Sequence, residues 1–126
     1  MQIEISHPIA LHETGKRSKN EDNIYPKAGN ASTANKVFLV CDGVGGAARG
    51  ELASQIVADT FGQAFEKNRA TTQTLDQVLE ESQRKIDAYL LENPTSKGMG
   101  TTATFLQFTK DGVVIAHAGD LSLIHI

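Results

Sequence analysis

The chain has one cysteine, which excludes an internal disulfide and leaves no thiolate framework for a metal. It has no block of lysine or arginine, and its formal net charge is -3. A basic patch for nucleic acid or a membrane surface is therefore not expected. No apolar run approaches the roughly 20 residues that a membrane-spanning helix needs. The start, Met1-Gln2-Ile3-Glu4-Ile5, lacks the basic stretch and apolar core of a secretory signal, so the expected location is cytoplasmic. Internal repeats and low-complexity segments are also missing. What is present is ordinary for one soluble domain: 126 residues, 40% hydrophobic and 21% charged. Oligomeric state is not written in any of these features.

The pattern along the chain predicts strands, then two helices, then strands. Residues 2–6 alternate weakly, and Ile9 to His12 and Ile24-Tyr25 are short strand candidates on either side of a polar stretch. Gly29 to Lys36 has the composition of a loop. Val37 to Cys41 is a continuous apolar run of strand length, which predicts burial on both faces. Leu52, Ala53, Ile56, Val57, Thr60, Phe61, Ala64 and Phe65 recur at helical spacing and predict a helix over roughly 50–68. A second helix is expected to begin at a capping box formed by Thr74 and Gln77, and to end at Asn93-Pro94. Its stripe is Leu75, Val78, Leu79, Ile86, Tyr89 and Leu90. After the turn at Gly98 to Gly100, residues 101–108 and 113–117 read as a hairpin joined near Asp111-Gly112. Two consecutive helices between strand groups favour an α+β fold, with helices on one face of an antiparallel sheet, over a doubly wound parallel sheet.

Two acidic clusters lie about twenty residues apart. The first is Arg17-Ser18-Lys19-Asn20-Glu21-Asp22, and the second is Asp42-Gly43-Val44-Gly45-Gly46 at the end of the apolar run. A carboxylate at the end of a buried strand is costly to desolvate. A hard divalent cation with oxygen ligands, magnesium or manganese, would offset that cost. The pattern therefore points to a metal-dependent phosphoryl-transfer site.

Four motifs in order carry a family resemblance: Arg17-x-x-Asn20-Glu21-Asp22, Asp42-Gly43-x-Gly45-Gly46 with Gly50-Glu51-x-Ala53-Ser54, Gly98-x-Gly100-Thr101-Thr102, and His117-Ala118-Gly119-Asp120. Together they resemble the N-terminal half of a bacterial type 2C metal-dependent protein phosphatase. The resemblance implies half of a four-layer αββα sandwich and hydrolysis of phosphoserine and phosphothreonine in protein substrates. It also implies two Mn2+ or Mg2+ ions, whose bridging water attacks phosphorus in line. Asp42 would bridge the metals with the Gly43 carbonyl beside it, and Glu21 would hold a metal, in many members through water. Asp22 would orient the metal-bound shell, Arg17 would clamp phosphate, and Asp120 would help to hold a third, weaker ion. Gly98 to Thr102 would serve the fold near the site more than the chemistry.

The sequence departs from the family pattern twice. Val44 stands where some members carry a histidine that protonates the leaving group, so that proton would come from water or another side chain. After Gly119-Asp120 the family continues with Ser-Arg and a second half bearing further metal-binding aspartates. Here the chain reads Leu121-Ser122-Leu123-Ile124-His125-Ile126, either translated adapter sequence or a short apolar strand. The domain reading is thus 1–120 as a partial phosphatase domain and 121–126 as a tail. The chain alone is expected to be inactive and poorly stable, and the intact parent to be the enzyme.

Two rivals stand beside this reading. One is a non-enzymatic relic or binding module that kept the sheet and lost the site. The other is nucleotide binding through Gly43-x-Gly45-x-x-Ala48, which requires a following strand ending in an acid. Cys41 reads as a buried structural thiol. His7, His12, His117 and His125 show no ligand spacing.

Overall fold

A computed structural model describes residues 13, 20–32, 34–44 and 49–119, together with the backbone of 122–125. The strand candidates at 2–6 and 9–12, Arg17, Asp120 and the glycines at 45 and 46 lie outside the described residues. Strand β1 spans Asp22–Tyr25 and β2 spans Val37–Val44, and helices α1 and α2 span Gly50–Phe65 and Thr72–Glu92. A single 3-10 turn at Pro94–Ser96 leads to β3 (Gly100–Thr101), β4 (Ala103–Thr109), β5 (Gly112–Gly119) and β6 (Ser122–His125).

Among the described residues the strands form one sheet in the order β1-β2-β4-β5-β6, with β3 pairing the end of β2. Every pair is antiparallel. The α+β class expected from the element order is what the fold shows. The hairpin expected from 101–108 and 113–117 is present as β4 and β5, except that Thr101 belongs to the separate strand β3 paired with β2. The hexapeptide contributes β6, which pairs with β5 from Ala116↔His125 to Gly119↔Ser122.

Both helices pack on one face of the sheet. Val37, Leu39, Cys41, Ala103, Phe105 and Ala116 point toward them and are buried. From α1 come Ala53, Val57, Phe61 and Phe65, and from α2 Leu75, Val78 and Ile86. Phe61, Phe65 and Phe105 form a ring cluster with centroids 5.2 to 6.2 Å apart. Burial of β2 on both faces is not what the fold shows. Leu39 is 1% exposed, whereas its neighbour Val40 is 55% exposed. Successive strand residues point to opposite faces, and the described residues cover only the helix side. The apolar run on β2 therefore serves one covered face and one open face, where Phe38 and Phe108 meet edge to face.

Two helix boundaries differ from the sequence pattern for local reasons. Helix α1 ends at Phe65 rather than near 68, because buried Gln107 of β4 donates to the carbonyls of Phe65 and Asn68 at 3.3 and 2.7 Å. Its Oε1 accepts the Ala70 N–H at 2.7 Å, so one side chain satisfies three backbone groups around the turn between the helices. Helix α2 is capped by Thr71 with Thr74, not by Thr74 with Gln77. The Thr74 N–H donates to Thr71 Oγ1 at 3.1 Å and the Thr71 N–H to Thr74 Oγ1 at 2.8 Å, a reciprocal pair that starts the helix earlier. The end at Glu92, with Asn93 capping, matches the Asn-Pro signal. Among the described residues no helix is long and apolar enough to cross a membrane.

Gln107→Leu removes the clamp while keeping the volume apolar, leaving the buried Ala70 N–H without its acceptor. Unfolding in urea is expected to show a loss on the order of 2 kcal/mol. A loss below about 0.5 kcal/mol would show that water or a neighbour replaces the clamp.

Candidate active site

The sequence candidates converge where β1, β2 and β3 meet the start of α1. The register sets Asp22 directly opposite Asp42, and the Gly43 N–H donates to the Glu21 carbonyl at 3.2 Å. On the other side of β2, Thr102 holds the main chain of Asp42 twice. The Asp42 N–H donates to Thr102 Oγ1 at 3.2 Å, and the Thr102 N–H donates to the Asp42 carbonyl at 3.0 Å. The Thr102 carbonyl is taken by the Thr101 hydroxyl at 2.8 Å, so the ladder here runs through a side chain. This places Thr102 in the supporting role expected of Gly98 to Thr102.

Both Asp22 and Asp42 lie exposed on the face away from the helices. Like charges directly opposite on neighbouring strands repel. Oxygen-only donors at such a pair suit a hard divalent ion better than a thiophilic one. Among the described residues, however, no three His, Cys, Asp or Glu side chains gather closely enough to hold a metal. The strand pair sets Asp22 opposite Asp42 and joins Glu21 to Gly43 through the main chain. Arg17 and Asp120 lie outside the described residues.

Close packing behind the site depends on two glycines. A Cβ on Gly43 would collide with the carbonyl oxygens of Glu21 and Gly50. A Cβ on Gly50 would sit 2.9 Å from the Val44 backbone and 3.0 Å from Glu21 Oε2. The glutamate carboxylate therefore lies over the first turn of α1. Arg49, which precedes that turn, adopts a left-handed conformation with φ 69°. Its guanidinium pairs with Glu51 and donates to the Tyr89 hydroxyl at 3.1 Å, tying the start of α1 to the end of α2.

Two further residues take part that sequence reasoning missed. Asn23 Nδ2 donates to the Glu51 carbonyl at 3.0 Å and to Ser54 Oγ at 2.8 Å, and Ser54 Oγ donates to the Glu21 carbonyl at 2.6 Å. Strand alternation was the available signal, since the residue after Asp22 must face the helix.

Cys41 is buried as expected, and burial pushes its thiol from the ordinary 9.0 up to about 12, with Asp59 adding to the rise. His117 sits half-buried on β5 with its Nδ1 2.9 Å from Thr104 Oγ1. The nucleotide-binding rival fails on topology. It needs a crossover from β2 through one helix to a parallel strand. Here α1 runs straight into α2, and the neighbours of β2 are antiparallel.

A model of the family described as protein phosphatase 2C matches residues 13–125. The chain belongs to the protein phosphatase 2C family. Among its relatives, the serine/threonine protein phosphatase PstP of Mycobacterium tuberculosis is 31% identical over 106 residues, covering 82% of this chain and 19% of that protein. A putative protein phosphatase 2C-type protein of Streptococcus pyogenes is 34% identical over 118 residues, covering 87% of this chain and 46% of the relative. The crystal structure of the PstP catalytic domain in complex with two manganese ions superposes with TM-score 0.68 at 27% identity, covering 96% of this chain and 52% of that one. Serine/threonine phosphatase Stp1 of Staphylococcus aureus gives 0.66 at 26% identity, covering 100% of this chain and 57% of that one. The chain thus spans less than half the length of these curated relatives and about half of the crystallised phosphatase chains.

With its thiol at 0% exposure, Cys41 is expected to resist iodoacetamide at pH 8 in the folded protein and to react once urea unfolds it. Mass spectrometry of the labelled chain reads the result, and fast labelling without urea would show that the site end of β2 opens readily.

Proposed function

We propose that this chain is the N-terminal half of a metal-dependent phosphatase that hydrolyses phosphoserine and phosphothreonine in proteins. The observation that carries the reading is the register of Asp22 against Asp42 at the glycine-lined strand end, in a chain of the protein phosphatase 2C family. The partners are phosphorylated proteins, with neither nucleic acid nor membrane required, and the location is cytoplasmic. Residues 1–120 form the phosphatase portion, and 121–126 are a tail that adds a strand to its edge.

The cofactor is two Mn2+ or Mg2+ ions, consistent with the manganese in the PstP structure. When bound, such ions supply a nucleophilic water at neutral pH and offset charge on the phosphoryl oxygens. Asp42 would bridge the pair with the Gly43 carbonyl beside it, and Glu21 would hold a metal from its place over α1. Asp22 would orient the surrounding shell, and Asp120 would help to hold a third, weaker ion. The Arg17 guanidinium would clamp the phosphate in bidentate fashion. Val44, 58% exposed and apolar, has no proton to give the leaving group, so that proton comes from water or another side chain.

Among the described residues the carboxylates gathered here are too few for a two-metal centre, and the 126-residue chain alone is expected to be inactive. Manganese-dependent hydrolysis of p-nitrophenyl phosphate is expected to be undetectable with this chain. It should be clear with the protein translated from the gene through to its stop codon. In that whole protein Asp42→Asn should lower kcat/KM by about a hundredfold or more. Turnover by the 126-residue chain that disappears in Asp42→Ala would overturn the inactive-half reading. A whole protein without turnover would favour the relic or binding module.

A further inference from the structure

Helical serines and threonines usually turn their hydroxyl back onto the preceding turn of their own helix. Thr60 and Ser82 do so here, donating to the Ile56 and Val78 carbonyls at 2.6 and 2.9 Å. Ser54 is different. Its hydroxyl lies 3.1 Å from the Glu51 carbonyl of its own helix but only 2.6 Å from the Glu21 carbonyl on the strand side. The hydroxyl has one hydrogen to give. The shorter distance assigns it to the Glu21 carbonyl, and Asn23 supports that choice, with one amide hydrogen on the Glu51 carbonyl and the other entering Ser54 Oγ. The donors then run in one direction, from Asn23 to Ser54 to the Glu21 carbonyl. That carbonyl also accepts the Gly43 N–H, so both sides of the site meet on one oxygen.

We infer that Ser54, oriented by Asn23, is a positioning residue for the metal site. It fixes the main chain of Glu21 against Asp42 and Gly43 without touching metal or substrate. The inference rests on the phosphatase reading above, with Glu21, Asp42 and Gly43 as metal holders. Ser54 is fully buried, so water cannot substitute for its hydroxyl. The Ser54→Ala variant is nevertheless expected to fold. In it the Glu21 carbonyl keeps the Gly43 N–H, and Asn23 keeps the Glu51 carbonyl.

The test titrates Mn2+ into the whole protein and reads free manganese by electron paramagnetic resonance. Wild type, Ser54→Ala, Asn23→Ala, the double variant and Asp42→Asn are compared at a temperature where circular dichroism shows each to be folded. Ser54→Ala and Asn23→Ala are each expected to weaken Mn2+ binding about tenfold, as outer-shell partners do. The double variant should be no weaker than Ser54→Ala alone, because both act through one carbonyl. Ser54→Cys, of similar size and a weaker donor, should fall between wild type and Ser54→Ala, and replaces the latter if it does not fold. A role in stability alone would lower the metal-free melting temperature and leave Mn2+ affinity unchanged, which overturns the proposal while the metal reading stands. Equal Mn2+ affinity in wild type and Asp42→Asn would instead overturn the metal reading, and this proposal with it.

Discussion

Three stretches of backbone touch behind the site with no side chain between them. Gly43 at the end of β2 lies against the carbonyls of Glu21 and Gly50, and Gly50 opens α1. A methyl group on either glycine would push strand and helix apart. Much of the site depends on that contact. It lets the Gly43 N–H reach Glu21, seats the Glu21 carboxylate over the first turn of α1, and brings Ser54, one turn further along, within reach of the Glu21 carbonyl. Glycine is required at 43 and 50 because the neighbouring atoms are main chain and cannot move aside as a flexible side chain could.

The sheet divides its labour by face. On β1, Asp22 and Ile24 look away from the helices, while Asn23 and Tyr25 look toward them. On β2, Asp42 and Val44 face out, and Cys41 and Gly43 face in. Charged groups thus occupy the open face, and the groups that hold their backbone occupy the covered one. Rigidity comes from the helix side, where the Phe61, Phe65 and Phe105 rings and the Gln107 clamp lock α1 and the turn after it to β4.

Most of this architecture could be read from local pattern. Apolar spacing of 3.6 located both helices, and the Asn93-Pro94 stop placed the end of α2 correctly. Each acidic motif is weak evidence alone, and it was the order of the four motifs that pointed to the family. Two of the errors have a common physical origin in long-range partners. Nothing near residue 65 says that Gln107, more than forty residues later, will take the last carbonyls of α1. Nothing within Val37 to Cys41 says that only one face is covered, since an apolar run reads alike whichever side the helices choose. The N-cap was a subtler miss, because Thr71 with Thr74 forms the box through two hydroxyls rather than through the usual Glu or Gln.

The roles of Asn23 and Ser54 were missed for a deeper reason, although Ser54 closes the Gly50-Glu51-x-Ala53-Ser54 motif. Each is a small polar residue of a kind that usually caps a turn or bonds its own helix. Only the antiparallel register, which puts Asp22 opposite Asp42, also turns Asn23 toward α1 at the height of Ser54. The period of two that presents a carboxylate on one face must place its neighbour on the other. An acid at a strand end that has to be held in place therefore makes the next residue a natural place for its support. In this chain that residue is an amide whose two donors fill the one competing acceptor and the serine that grips the strand.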